Sequence, residues 1–228
     1  MKRFLLATII TLGSFSTALQ AQDIRFGVRA GGTLAAWRGQ AVENAEGIIN
    51  LANLDLENRP VTTGPRVGFH AGVYASIPVT DRVEIEPGVF YSQKGSWLTG
   101  RFSSDQFEFV NLQADVTNKL NYIDIPVYAK VYVTEGFHVF AGPQVSFLIS
   151  DRLHTQLNVA GFNLLNRHWN IDAGYRTVDV AAAGGVGYKF ANGFHLMAGY
   201  DHGLTRLLDS QSIRAYNRAV KVSVGYEF

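Results

Sequence analysis

The residues with chemistry to offer are charges set two residues apart, a few histidines and scattered serines. Six basic side chains (Arg25, Arg29, Arg66, Lys130, Lys189 and Lys221) and six acidic ones (Glu84, Glu86, Asp124, Asp179, Asp201 and Glu227) fall on one parity of alternating segments. An even set of this kind can neutralise itself as hydrogen-bonded ion pairs, whereas an ion path would favour an excess of one sign. His202 precedes Ser210 and Ser212, a pairing that could supply a base and a nucleophile, but no nucleophile motif surrounds either serine. His138 and His195 have the right donor atoms for a metal, yet the chain has no cysteine and no His-x-His pair beside them. Gly184-Gly185-Val186-Gly187 is a weak phosphate-loop signature with no helical pattern after it. The plainer readings prevail: His202 is a polar rim residue, His138 and His195 are interior hydrogen-bonders, and the glycine run is strand packing. No catalytic residue, cofactor or metal ligand is assigned.

The elements that position these charges are strands. Val220, Val222, Val224, Tyr226 and Phe228 share one parity, and Lys221, Ser223, Gly225 and Glu227 the other, a period-two pattern with one apolar face. Seven further segments alternate in the same way: 24–37, 66–77, 82–97, 119–133, 137–150, 177–190 and 194–208. Each is long enough to cross a bilayer at the usual tilt, which takes about 9–11 residues. Residues 78–81, 134–136 and 191–193 are tight turns rich in Pro, Asp, Asn and Gly. Residues 38–65, 98–118 and 151–176 are long, and residues 209–213 form a shorter connection. Within the long segments, 105–114 alternates and predicts a hairpin continuing the strands. Ile48, Ile49, Leu51, Leu54 and Leu56, and then Phe162, Leu164, Leu165 and Trp169, are apolar enough either to cap the structure or to form a binding surface.

The faces decide which kind of barrel this is. The charge-bearing parity is also the glycine-rich one, and the opposite parity is almost wholly aliphatic and aromatic, the reverse of a soluble barrel. Glycine suits a narrow interior, and aliphatic side chains suit lipid. Trp37 and Trp97 at the long-loop ends, with Phe137, Phe190 and Phe194 at the turn ends, are placed as interfacial girdles. The reading is all-β: an eight-stranded antiparallel up-and-down transmembrane β-barrel with short periplasmic turns and long extracellular loops.

The N-terminus agrees. Lys2 and Arg3 precede an apolar run from Phe4 to Leu12 that is too short for a membrane helix. Leu19-Gln20-Ala21 then offers a small residue for cleavage, so residues 1–21 read as a signal peptide and residues 22–228 as one barrel domain. The whole chain holds 20 basic and 19 acidic residues; losing Lys2 and Arg3 leaves 18 against 19, a net charge of −1. That balance gives no reason to expect nucleic acid. Past the leader no apolar run approaches the roughly 18 residues of a membrane helix.

Residues 220–228 are similar to the closing strand of bacterial outer-membrane barrels, in which outward aromatics such as Tyr226 and Phe228 form the insertion signal. The stretch Leu120-Asn121-Tyr122-Ile123-Asp124-Ile125-Pro126-Val127-Tyr128-Ala129-Lys130 resembles the Ile-Pro-plus-Lys strand of the PorT-like outer-membrane β-barrel family. Phe140-Ala141-Gly142-Pro143, Gly184 to Tyr188 and Gly225 to Phe228 carry the resemblance along nearly the whole mature chain. It departs at Asp124, where Glu is commoner, and at Tyr128, where the family has an aliphatic residue. The resemblance implies an outer-membrane barrel of mostly undefined activity. The partners expected of such a barrel are membrane lipid, the barrel-insertion machinery and an extracellular or envelope protein. The expected function is structural or interactive rather than enzymatic. A component of a secretion system is the alternative, ahead of a lipid-modifying enzyme or a narrow pore.

Overall fold

The computed structural model describes residues 24–39, 62–104, 107–159, 162–169, 175–207 and 215–228. The leader expected over residues 1–21, the apolar residues of segment 38–65, and Ser210 and Ser212 lie outside the described residues. The described chain forms β1 (Arg25–Arg38), β2 (Thr62–Thr80), β3 (Val83–Ser104), β4 (Phe107–Tyr132), β5 (Phe137–Val159), β6 (Phe162–Trp169), β7 (Val178–Lys189), β8 (Phe194–Gly203) and β9 (Tyr216–Glu227).

All pairings are antiparallel. Strand order runs β4-β3-β2-β1-β9-β8-β7-β5, and β4 pairs with β5 to close the ring. The seam between the first and last strands extends from Gly27↔Glu227 to Arg38↔Tyr216. Eight strands therefore form a closed barrel. The ninth, β6, shares an edge of β5 with β7: Phe137 to Phe147 pair with β7, and Leu153 to Val159 pair with β6. Closure follows from the solvent, because hydrocarbon offers no hydrogen bonds and a sheet edge within it would leave backbone groups unpaired.

The long connections differ from expectation. Most of 98–118 is strand, with Gly100↔Ala114 and Arg101↔Gln113 continuing the β3–β4 ladder. Of the segment predicted as a hairpin, residues 107–114 form one arm, paired with the end of β3, and residues 105 and 106 lie outside the described residues. Much of 151–176 is also a hairpin, β5–β6, rather than a loop. The signal was present, since Leu153, Thr155, Leu157 and Val159 alternate with Arg152, His154, Gln156 and Asn158. β8 stops at Gly203, short of residue 208, and β9 begins at Tyr216, four residues before Val220.

Side-chain direction follows parity. Phe26 is 61% exposed, Val67 77% and Val222 60%, while Glu86 and Asp124 are 1% exposed and Lys130 2%. In water such a surface would be unstable; against acyl chains it is favourable, and the charges find their partners inside. Around the turn end the outward aromatics pack edge on edge: Tyr188 with Phe190, Phe194 with Tyr226, and Tyr226 with Phe228, at ring-centroid separations of 4.9, 5.0 and 5.7 Å. No described helix is long and apolar enough to cross a membrane.

The interior is tight enough that some strand positions admit only glycine. A Cβ on Gly225 would run into the His195 ring and the Val28 carbonyl, whereas a Cβ on outward Gly32 would meet nothing within 4 Å. Gly225→Ala should therefore cost about 1–3 kcal/mol through overpacking. Gly32→Ala should be neutral or gain up to about 1 kcal/mol by restricting the unfolded chain. Urea unfolding in lipid vesicles measures both, and equal effects would contradict the packing argument.

Candidate functional site

Among the described residues, buried polar side chains gather in the barrel interior, which is built in tiers. At the turn end, Arg25 of β1 pairs with Glu84 of β3, and its Nε lies 3.1 Å from Glu227 of β9. Lys189 Nζ reaches the same Glu227 oxygen at 2.5 Å. Ser76 and Tyr132 donate to Glu84 at 2.7 and 3.0 Å. This tier faces an open vestibule of about 1080 Å³ whose rim carries both signs of charge, among them Arg82 and Glu135.

The next tier is buried. Glu86 holds both Arg29 and Lys130. The Arg29 guanidinium also lies 2.8 Å from Met197 Sδ and over the Tyr74 and Phe90 rings, at 4.7 and 5.2 Å. Two cations on one carboxylate leave a local positive surplus, which these electron-rich faces help to hold. His195 and His138 sit at this level, with rings 5.5 Å from Tyr74 and 5.0 Å from Tyr132. His138 Nδ1 is 3.3 Å from the Gly136 carbonyl.

Above it Asp124 is held between Lys94 at 2.9 Å and Lys221 at 3.1 Å, and Lys221 also reaches Asp201 at 2.7 Å. Gln144 links these groups: it accepts from Lys221 and donates to Asp201 and Ser146. Between this tier and the one below is a void of about 30 Å³, room for little more than a single water. Higher still, Asp179 accepts from Thr205 at 2.5 Å and Asn217 at 2.7 Å. A cluster of Leu120, Tyr122, Leu207 and Ala215, with Trp37, Leu148 and Tyr175 against it, then covers the polar column.

Three placements depart from the sequence expectation. Arg66 has no carboxylate partner among the described residues; it lies within the register shift between Pro65 and His70, and its Nη1 donates to the Lys94 carbonyl at 2.8 Å. Asp179 is held by hydroxyl and amide donors instead of a cation. Lys94, which sequence reasoning left out, is 2% exposed and pairs with Asp124. Its parity with Glu84, Glu86 and Ser92 was the available signal.

The aromatics divide as well. Trp37 shares the inward parity of Arg29 and Thr33 and stacks toward Tyr175 at 6.1 Å, so it belongs to the interior lid and not to a lipid girdle. Trp97 lies against Gly64, with Nε1 donating to the Pro65 carbonyl at 3.1 Å. Phe137, Phe190, Phe194, Tyr226 and Phe228 all face outward at the turn end. His202 faces outward beside Tyr200, away from the interior polar groups.

The profile of the outer membrane protein beta-barrel domain matches residues 20–209. Among solved structures, the chain is similar to Ail, the attachment invasion locus protein of Yersinia pestis, with 10% identity, 90% of this chain and 98% of that one covered, and a TM-score of 0.42. It is also similar to Neisserial surface protein A, with 13% identity, 89% and 97% coverage, and a TM-score of 0.38. No curated protein matches.

The tiers rank the interior residues by what their loss strands. Glu86→Ala leaves two buried cations without a carboxylate and should cost about 3–5 kcal/mol. Val224→Ala removes part of one lipid-facing side chain, worth no more than about 1.5 kcal/mol. Lys94→Ala should likewise exceed Arg66→Ala, which loses a single hydrogen bond worth about 1 kcal/mol. Unfolding midpoints of the four variants test the order, and a Glu86→Ala barrel as stable as the parent would refute it.

Proposed function

Because the chain belongs to the outer membrane protein beta-barrel domain family, it is an integral β-barrel of the bacterial outer membrane, and we propose that it works there as a non-conducting structural or interaction protein. The observation that carries this reading is the filled interior. Between the vestibule and the apolar lid stand the Arg29–Glu86–Lys130 and Lys94–Asp124–Lys221–Asp201 tiers, packed on aromatic rings. A conducting path needs water and weakly held charge along its whole length. Here the charges hold one another.

With the interior occupied, recognition falls to the ends. The β3–β4 and β5–β6 hairpins join into one antiparallel sheet that continues past the closed ring at the end opposite the tight turns. Such a platform can present side chains to an extracellular partner, while the vestibule faces the periplasm and any envelope protein there. Within the family, the Ile125-Pro126 strand with Lys130 supports a PorT-like affiliation. In this reading a cleaved leader of residues 1–21 directs export, and the outward Tyr226 and Phe228 engage the barrel-insertion machinery. Membrane lipid is the constant partner, nucleic acid has no role, and the barrel catalyses nothing.

The purified protein in planar bilayers should give no steady conductance steps, and large, regular openings would overturn the filled-lumen reading. Lipid A from envelopes with and without the gene should have the same mass profile; a reproducible mass change would make the protein an enzyme. Crosslinked envelopes should yield no stoichiometric set of secretion components, and recovery of such a set would favour the machine alternative.

A further inference from the structure

The outward face has a second polar feature that the barrel does not need for closure. Arg38 of β1, Arg218 of β9 and His202 of β8 all lie on the outward parity at the end opposite the turns. The register sets them side by side, with Arg38↔Tyr216, Ala36↔Arg218 and His202↔Arg218. Arg38 and His202 are exposed, and Arg218 partly so. Arg218 uses Nη1 to donate to the Gly203 and Asn217 carbonyls, at 2.5 and 3.0 Å, and its guanidinium carbon is 5.8 Å from the Tyr216 ring centroid. Its other donors have no partner among the described residues. No acidic side chain on β1, β8 or β9 faces outward, since Asp201 and Glu227 both point into the lumen.

Depth gives the row its meaning. On β9, Arg218 is ten residues above Phe228 of the turn-end aromatic ring. At a rise of about 3.3 Å per residue and a tilt of about 40°, that spacing is about 25 Å, the height of the apolar band of such barrels. Directly below the row, Leu34, Val220, Val222 and Tyr200 are exposed. Basic groups that face outward one hydrocarbon thickness above the aromatic ring stand at headgroup level. Guanidinium groups there match phosphate in both charge and fork geometry.

We propose that Arg38, Arg218 and His202 form a binding site for the phosphorylated headgroup of an outer-leaflet lipid whose acyl chains lie on Leu34, Val220 and Val222. The occupant is a lipid and not a free anion, because the basic row is continuous with the apolar surface beneath it. The site depends on the barrel's placement in the membrane and is independent of what the hairpins bind.

The test uses the full chain folded into phosphatidylcholine vesicles containing bis-phosphorylated lipid A, or lipid A stripped of its phosphates. Lipid retained by the gently extracted protein is counted by native mass spectrometry. The phosphorylated form should be retained and the stripped form should not, and millimolar inorganic phosphate should not displace it. Arg38→Ser with Arg218→Ser should weaken retention about tenfold, the worth of roughly one charge-assisted contact. Arg218→Lys keeps the charge without the fork and should fall between the parent and the double variant. Arg38→Ser with His202→Asn leaves the Arg218 backbone bonds intact and should also lose lipid, and heat-modifiable gel migration confirms that each variant is folded. Equal retention of stripped lipid A, displacement by inorganic phosphate, or unchanged retention in both double variants would overturn the proposal.

Discussion

Everything in this molecule depends on one demand of the bilayer: no backbone N–H or C=O can face hydrocarbon unpaired. The chain meets it by pairing β1 with β9 along twelve register positions, from Gly27↔Glu227 to Arg38↔Tyr216. Once that seam is closed, an eight-stranded ring has a fixed, narrow bore. Every inward residue must then fit a space that is already determined. This is why Gly225 faces the His195 ring and Gly27 the Tyr74 ring, and why large inward side chains sit opposite small ones.

A narrow bore also dictates the electrostatics. Charges cannot be hydrated freely in it, so each must be answered by another polar group of the protein. Glu86 takes two cations, Asp124 takes two lysines, and Gln144 and Ser146 fill the remaining hydrogen-bonding positions. The same contacts that neutralise the charges occupy the lumen. A column that is electrically satisfied is thereby also obstructed, and function is left to the surfaces at its two ends and to the lipid-facing wall. The closed ring gives way to a one-sided sheet where β6 takes over the edge of β5 that β7 has left. Beyond the membrane, sheet closure is no longer compulsory, so an open sheet can persist there.

The alternation of residues by itself determined the fold class, the order of eight barrel strands, the tight turns and the inward or outward direction of nearly every side chain. Period-two patterning encodes facing directly, and parity alone put Glu84, Glu86, Asp124, Lys130, Asp201, Lys221 and Glu227 on one surface. Parity would also have supplied Lys94, and the period-two run from Arg152 to Val159 would have supplied the end of β5. What parity cannot encode is height around the ring, because that depends on the stagger between strands. Only the closed structure brings Lys94 and Lys221 to opposite sides of Asp124, 30 and 97 residues apart in sequence. Register likewise decided that Arg66, within a shift in the β2–β3 ladder, meets a backbone carbonyl, that Asp179 meets Thr205 and Asn217, and that Trp37 closes the lumen instead of touching lipid. Facing is a local property of a strand, whereas partnership is set by how the ring closes.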